Sequence, residues 1–424
     1  MLLLVVLFAS VWPVRADDDF EYHAYLRSGV LESGEGGKGA AFIAPGAPAK
    51  YRLGNEAETY GEAILQKNFN AADDGPRALV ATLLAYKTQE DNQWSADTDE
   101  FSIREAYAEF TGLKVSPGIR WWAGSRYYRR MDIHINDYYW LDTSGYGGGV
   151  QDIPLGGPLR LHLAYLRGAP ENGVDLINVG LISKQILDIR LAHIPVGWGE
   201  LELVALPSYM KGGDYETTLE KGDEKKTIET TVETDKAIAF CAIHRKTYSN
   251  SFNRAAVQWG EGVAKDFGSS LIATPTDVTR DAWTFRALDY GLWQPNEHFA
   301  VMYELLYQQA DNGEDQNSRS DWYSAGMRPI WFFNKNFSLA VEMGMDHTRQ
   351  EGQAEDGGDL EGTLGKITLC PQIELNDFFL ARPVLRAFVT VAQWSDDFKG
   401  HVGGTPFADD TQGWNYGVQM EAWF

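Results

Sequence analysis

Trp414-Asn415-Tyr416-Gly417-Val418-Gln419-Met420-Glu421-Ala422-Trp423-Phe424 closes the chain, and its reading decides the fold. Even positions are apolar, while Asn415, Gly417, Gln419 and Glu421 are small or polar until Trp423 breaks the pattern. A period of two marks a β-strand with one apolar and one polar face. The same period recurs away from this segment. Phe337, Leu339, Val341, Met343 and Met345 alternate with Ser338, Ala340, Glu342, Gly344 and Asp346. Phe299, Val301, Tyr303, Leu305 and Tyr307 alternate with Ala300, Met302, Glu304, Leu306 and Gln308. Near the other end, Phe20, Tyr22, Ala24 and Leu26 alternate with Glu21, His23, Tyr25 and Arg27.

A soluble sandwich alternates too, so length and connections must decide. Strand-like runs of around ten residues suit a tilted membrane crossing. Short turns, such as 294–297 and 334–336, alternate with long acidic, Gly-rich connections at 309–321 and 350–363. Hydrocarbon offers backbone groups no water, so a membrane sheet has to close on itself. At roughly 22–25 residues per strand and connection, about 16–18 strands are expected. The expected fold is all-β, a transmembrane antiparallel β-barrel with short periplasmic turns and long extracellular loops. A barrel that wide should leave an aqueous channel lined by the polar phase.

Composition excludes other classes. Among 424 residues, 13% are aromatic, too many for a disordered chain, and the formal charge of −23 opposes nucleic-acid binding. No apolar run after the first 14 residues is long enough for a membrane helix. Met1–Ala16, MLLLVVLFASVWPVRA, reads as a signal peptide cut after Val14-Arg15-Ala16, although it lacks a basic leading region. Residues 17–424 then form one barrel domain. Cys241 and Cys370 are expected to be free and buried. Gly34-Glu-Gly36-Gly-Lys-Gly39 is followed by Pro45 and Pro48 rather than a helix, so it reads as a loop. Glu58 and Glu62 would lie about 13 Å apart on a strand, beyond the usual glycosidase spacing. No enzyme activity, cofactor or metal is expected.

Certain large residues sit on the polar phase. Tyr25 shares a face with Arg27, Tyr60 with Glu58 and Glu62, Trp394 with Arg386 and Thr390, and Trp423 with Glu421. Pyranose faces are C–H surfaces that pack on aromatic rings, while their hydroxyls need donors and acceptors at the edges. Such a ladder therefore suits an oligosaccharide sliding along the wall. The alternative makes Tyr25 and Trp423 girdle residues at the headgroup level.

Lys50-Tyr-Arg-Leu-Gly-Asn-Glu56, Glu58-Thr-Tyr60, Trp122-Ala-Gly-Ser-Arg-Tyr-Tyr128, Asp137-Tyr-Tyr139, Arg286-Ala-Leu-Asp289, Arg382-Pro383 and Gln419-Met-Glu421 with Trp423 carry a resemblance. The chain resembles the maltoporin-type sugar porins of Gram-negative outer membranes over nearly its whole mature length. The resemblance implies 18 strands, a homotrimer and a passive channel for maltose and longer maltodextrins. It places an aromatic slide on Tyr25, Tyr60, Trp394 and Trp423, with Trp94 reaching into a neighbouring subunit. The implied polar track is Arg27, Arg52, Glu62, Arg104, Arg130, Asp137 and Tyr139. A further slide aromatic falls near Ala255, where it is lost or supplied by Phe252 or Trp259. The family's loop cysteine pair falls near Ala41 and Ala57 and is absent. The alternatives are a porin for sucrose or a β-glucoside, and a general diffusion porin. Outer-membrane lipid and lipopolysaccharide are the expected surroundings.

Overall fold

The structure is a computed structural model describing residues 20–56, 58–70, 75–88, 100–168, 182–221, 224–273 and 280–424. Residues 1–16, read above as a signal peptide, and Trp94 lie outside the described residues. An 18-strand antiparallel sheet runs from Phe20–Ser33 to Gln412–Trp423, each strand pairing with its sequence neighbours. It closes where the first strand meets the last, with Tyr25 opposite Trp423 and Arg27 opposite Glu421. Closure leaves no edge unpaired, as a wall in lipid requires.

The period-two reading holds in the wall. Ile367, Leu369, Val389, Val391 and Val418 are exposed on the outside, while Glu342, Thr368, Thr390, Asn415 and Glu421 are buried inside. Aromatic clusters mark both rims of the outer surface: Trp293, Phe299 and Trp331 near the short turns, Trp259 stacked on Trp283 near the long loops. The strands extend further than the sequence reading placed them. Phe299–Asp311 and Arg319–Phe332 leave 312–318 as the loop, and Phe337–Gln350 and Leu360–Glu374 leave 351–359. Polar residues at strand ends pair as well as apolar ones once water replaces lipid around them. In Glu100–Thr111 the register slips where Leu83 faces Glu105 and Leu84 faces Ile103. Arg104 is the extra residue of this bulge, so both Arg104 and Glu105 reach Tyr127 inside the barrel.

The lumen departs from the expected polar, open channel. Two connections, 34–59 and 127–144, fold inward. The second carries a small hairpin, Met131–Ile133 with Tyr138–Leu141. Its Ile133, Ile135, Trp140 and Leu141 join Leu166, Ile186, Val204, Leu206 and Ile243 of the inner wall in one buried cluster. An apolar segment folded inward needs an apolar seat, and that seat replaces polar wall on this side. The first connection is seated on the other side. Tyr51 lies so close to Gly326 and Gly344 that a Cβ on either would fall 2.1 Å from its ring. Lys366 Nζ donates to the Tyr51 and Leu53 carbonyls at 2.8 and 2.6 Å. Cys241 and Cys370 are free and buried, as expected.

Candidate solute pathway and its aromatic wall

Closure of the barrel brings three of the aromatic residues into one row. Tyr25 lies 6.3 Å from Trp423 with ring planes 22° apart, and 5.9 Å from Tyr60. All three are half-buried. They point inward: Tyr25 Oη donates to Glu421 at 3.0 Å and accepts from Arg52 at 2.9 Å. The girdle alternative for Tyr25 and Trp423 is therefore wrong, because girdle rings face lipid.

Trp394 does not join this row. Its strand runs antiparallel to the last, with Val384 opposite Glu421. Trp394 thus lies at the long-loop end, roughly 40 Å along the strand from Trp423. It faces inward as its phase requires, but it is 4% exposed. Phe42 and Phe407 pack against it at 5.9 and 6.5 Å, and its indole donates to the Asp410 carbonyl. Period two gave its side of the wall; the loops covering it carry no period.

Polar groups flank the row. Arg27 lies over Tyr60 at 5.1 Å, pairs with Glu58, and lies 3.4 Å from Glu56. Arg52 joins Glu56, Glu421 at 3.2 Å, and His134 at 3.4 Å. Burial would raise the Glu56 carboxyl, but the Arg52 and Arg27 guanidiniums outweigh it and hold it below the usual range. Burial, reinforced by Arg52, holds the His134 ring well below its ordinary value, so it is neutral. Burial, then Asp137, raises the Asp132 carboxyl.

Further along, Tyr60 donates to Glu62 at 2.5 Å and Arg104 to Tyr127 at 2.5 Å. The Arg130 guanidinium lies between the rings of Tyr127 and Tyr139, at 3.9 and 4.2 Å. Asp137 takes a left-handed backbone, φ 57°, at the tip of the inward hairpin. With Tyr139, Arg286 and Gln308 it lines a vestibule of about 600 Å³ toward the long loops. The polar track thus falls into two groups, Arg27 and Arg52 beside Tyr25 and Tyr60, and Arg104, Arg130 and Tyr139 around Tyr127.

Sequence reading did not single out Tyr127, Glu421, Phe379 or Arg382, which the structure sets among the residues around the row and the polar track. Glu421 was within reach, since it shares the phase of Trp423 two positions on. Phe379 and Arg382 sit in a connection without periodicity. Near Ala255, alternation rules out Trp259 as a replacement. Ala255 and exposed Trp259 face outward, whereas Phe252 faces inward against Tyr290 at 6.2 Å. Phe252 therefore stands on the lumen side, across the barrel from the row.

Three solved structures are similar to this chain. Pseudomonas aeruginosa OccK2 (OpdF) matches at 12% identity and TM-score 0.50, over 96% of this chain and 98% of that one. Pseudomonas aeruginosa OpdK with vanillate matches at 10% and 0.48, over 96% and 99%. Salmonella typhi OmpF in complex with daunomycin matches at 10% and 0.48, over 97% and 99%. At 12% identity the first of these concerns the fold alone. The sequence itself goes further, since the LamB porin profile matches residues 20–424. A closed barrel with inward loops, an aromatic row along its closing seam and this match over nearly the whole chain have one reading: the chain belongs to the LamB porin family, outer-membrane channel proteins.

Proposed function

We propose that the channel passes maltose and longer maltodextrins by facilitated passive diffusion. The contiguous row Trp423–Tyr25–Tyr60, flanked by Arg27, Arg52, Glu62, Arg104, Arg130, Asp137 and Tyr139, carries this reading. Rings in a row offer stacking surfaces, and the charged groups beside them offer partners for equatorial hydroxyls. The shielding of Trp394 and the outward-facing Ala255 shorten the row. That favours, as a second reading, a shorter oligosaccharide such as sucrose or a β-glucoside.

A homotrimer is part of the proposal. On the outer face of the first six strands, Ala24, Gly61, Ala63, Thr82, Ala106, Ala108, Ala123, Ser125 and Gly148 stand at paired positions. Elsewhere the same belt carries Leu305, Met327, Met343, Ile367 and Leu369. Between Val80, Leu84 and Ile103 of the same face, this small-residue patch lets two walls approach closely, where lipid would pack poorly. The strands Arg77–Lys87 and Glu100–Thr111, between which Trp94 lies in sequence, belong to this face, which supports its role in a neighbouring subunit's channel. Residues 1–16 are proposed to be the cleaved signal peptide, and the acidic outer loops to meet lipopolysaccharide.

The test is single-channel conductance in a planar bilayer, titrated with maltose, maltotriose, sucrose and cellobiose. Block by maltotriose at lower concentration than by sucrose or cellobiose is expected. Equal, weak block by all four leaves a general porin.

A further inference from the structure

Three groups surround the Trp423 ring. The Arg382 guanidinium lies 4.1 Å from its ring centre, Tyr25 stacks at 6.3 Å, and His134 meets it edge-on at 6.1 Å. A guanidinium rests on an indole because the ring quadrupole attracts it, and a pyranose would use the same surface. Arg382 is firmly held, its side chain 2% exposed. Its Nε and Nη2 reach one Glu421 oxygen at 2.8 and 2.7 Å. Its Nη1 donates to the Ala381 and Phe379 carbonyls at 2.7 and 3.3 Å.

Arg382 belongs to the connection 375–383, between strands Leu360–Glu374 and Val384–Trp394 and so at the short-turn end. This connection turns inward. Phe379 is 2% exposed, and its ring meets His134 edge-on at 6.4 Å. Gln294 pins it there, donating to the Asp377 carbonyl at 2.7 Å and accepting from the Phe379 N–H at 3.2 Å. His134 comes from the inward segment 127–144, so turn and inward segment meet across the aromatic row.

We propose that the connection 375–383 is a gate at the short-turn end of the channel. Arg382 latches it between Trp423 and Glu421, and a passing saccharide ring exchanges with the guanidinium on the Trp423 face. The proposal rests on the row being the sugar path. Arg382 then sets how fast sugar enters and leaves at this end. Glu421 keeps Arg52 and Arg386 at 3.2 and 2.8 Å when Arg382 is replaced, so removing the latch strands no buried acid.

The experiment adds maltotriose to one side of a planar bilayer at a time and reads association and release rates from current noise. Arg382→Gln should raise association from the short-turn side by about two- to tenfold, the range of a partly buried cation–π contact. Association from the long-loop side should change little. Arg382→Lys, which retains charge beside Glu421 without a flat surface, should fall between. Equal changes from both sides, or none from either, in a variant with native heat-modified gel mobility would overturn the gate. Trp423→Ala separates the two ideas. Loss of block in Trp423→Ala with a silent Arg382→Gln removes the gate and leaves the row standing. Wild-type block in Trp423→Ala removes the row at this end and the gate with it.

Discussion

At the residue scale, burial separates aromatic groups that the sequence phase treats alike. Tyr25 and Tyr60 keep ring surface in the passage, whereas Trp394 is sealed under Phe42 and Phe407. Tyr25→Ala and Tyr60→Ala should each weaken maltotriose block by about 0.5–1.5 kcal/mol, the worth of an aromatic contact. Trp394→Ala should leave block unchanged and lower stability by about 3–5 kcal/mol, because it opens a cavity beneath packed loops. Titrating maltotriose against single-channel current, with urea unfolding in vesicles, tests both halves. His134 gives a second expectation. Its ring is neutral because burial and Arg52 depress its pKa. A depressed folded pKa means the associated stability is complete above the unfolded value near 6.5 and is lost as pH falls below it. The urea midpoint should drop between pH 7 and 5, and His134→Gln should drop less; parallel curves would remove His134 from the transition.

At the element scale, alternation assigns sides, but what lies behind each side differs from strand to strand. Val389 is exposed to lipid at the centre of its strand, so Val389→Arg should cost roughly 2–4 kcal/mol. Its neighbour Thr390 faces inward yet is 0% exposed, with its hydroxyl against Thr368 and Gly54 beside it. Thr390 would not welcome an arginine either, since the inward segment 34–59 occupies the space. Gln66 is the better inward control: it donates to Glu21 at 3.1 Å on an exposed part of the wall. Gln66→Arg should cost far less than Val389→Arg in urea titrations into vesicles. Comparable losses for the two would remove the phase assignment of these strands.

At the scale of the whole molecule, the small-residue face of the first six strands is where subunits are expected to meet. Ala106→Leu with Ala123→Leu should split the assembly without unfolding the barrel, because each side chain points away from the lumen. Native mass spectrometry reads the outcome; an intact trimer would move the interface elsewhere. Barrel, strand phase and closing seam were legible in the chain because they rest on period two, a local property that water and lipid impose residue by residue. Period two put Tyr25 and Trp423 on the polar face but left the girdle reading open, until their contacts in the tertiary structure turned both rings inward. Nothing local marks how far a loop folds back, since its partners lie hundreds of positions away: Tyr51 on Ser324, Asn136 on Glu304, Arg52 on Glu421. Sequence determined that Trp394 faces inward and was silent on Phe379. Only the tertiary structure decided that loops cover the first and that the second reaches the aromatic row, because both depend on packing between segments that share no periodicity.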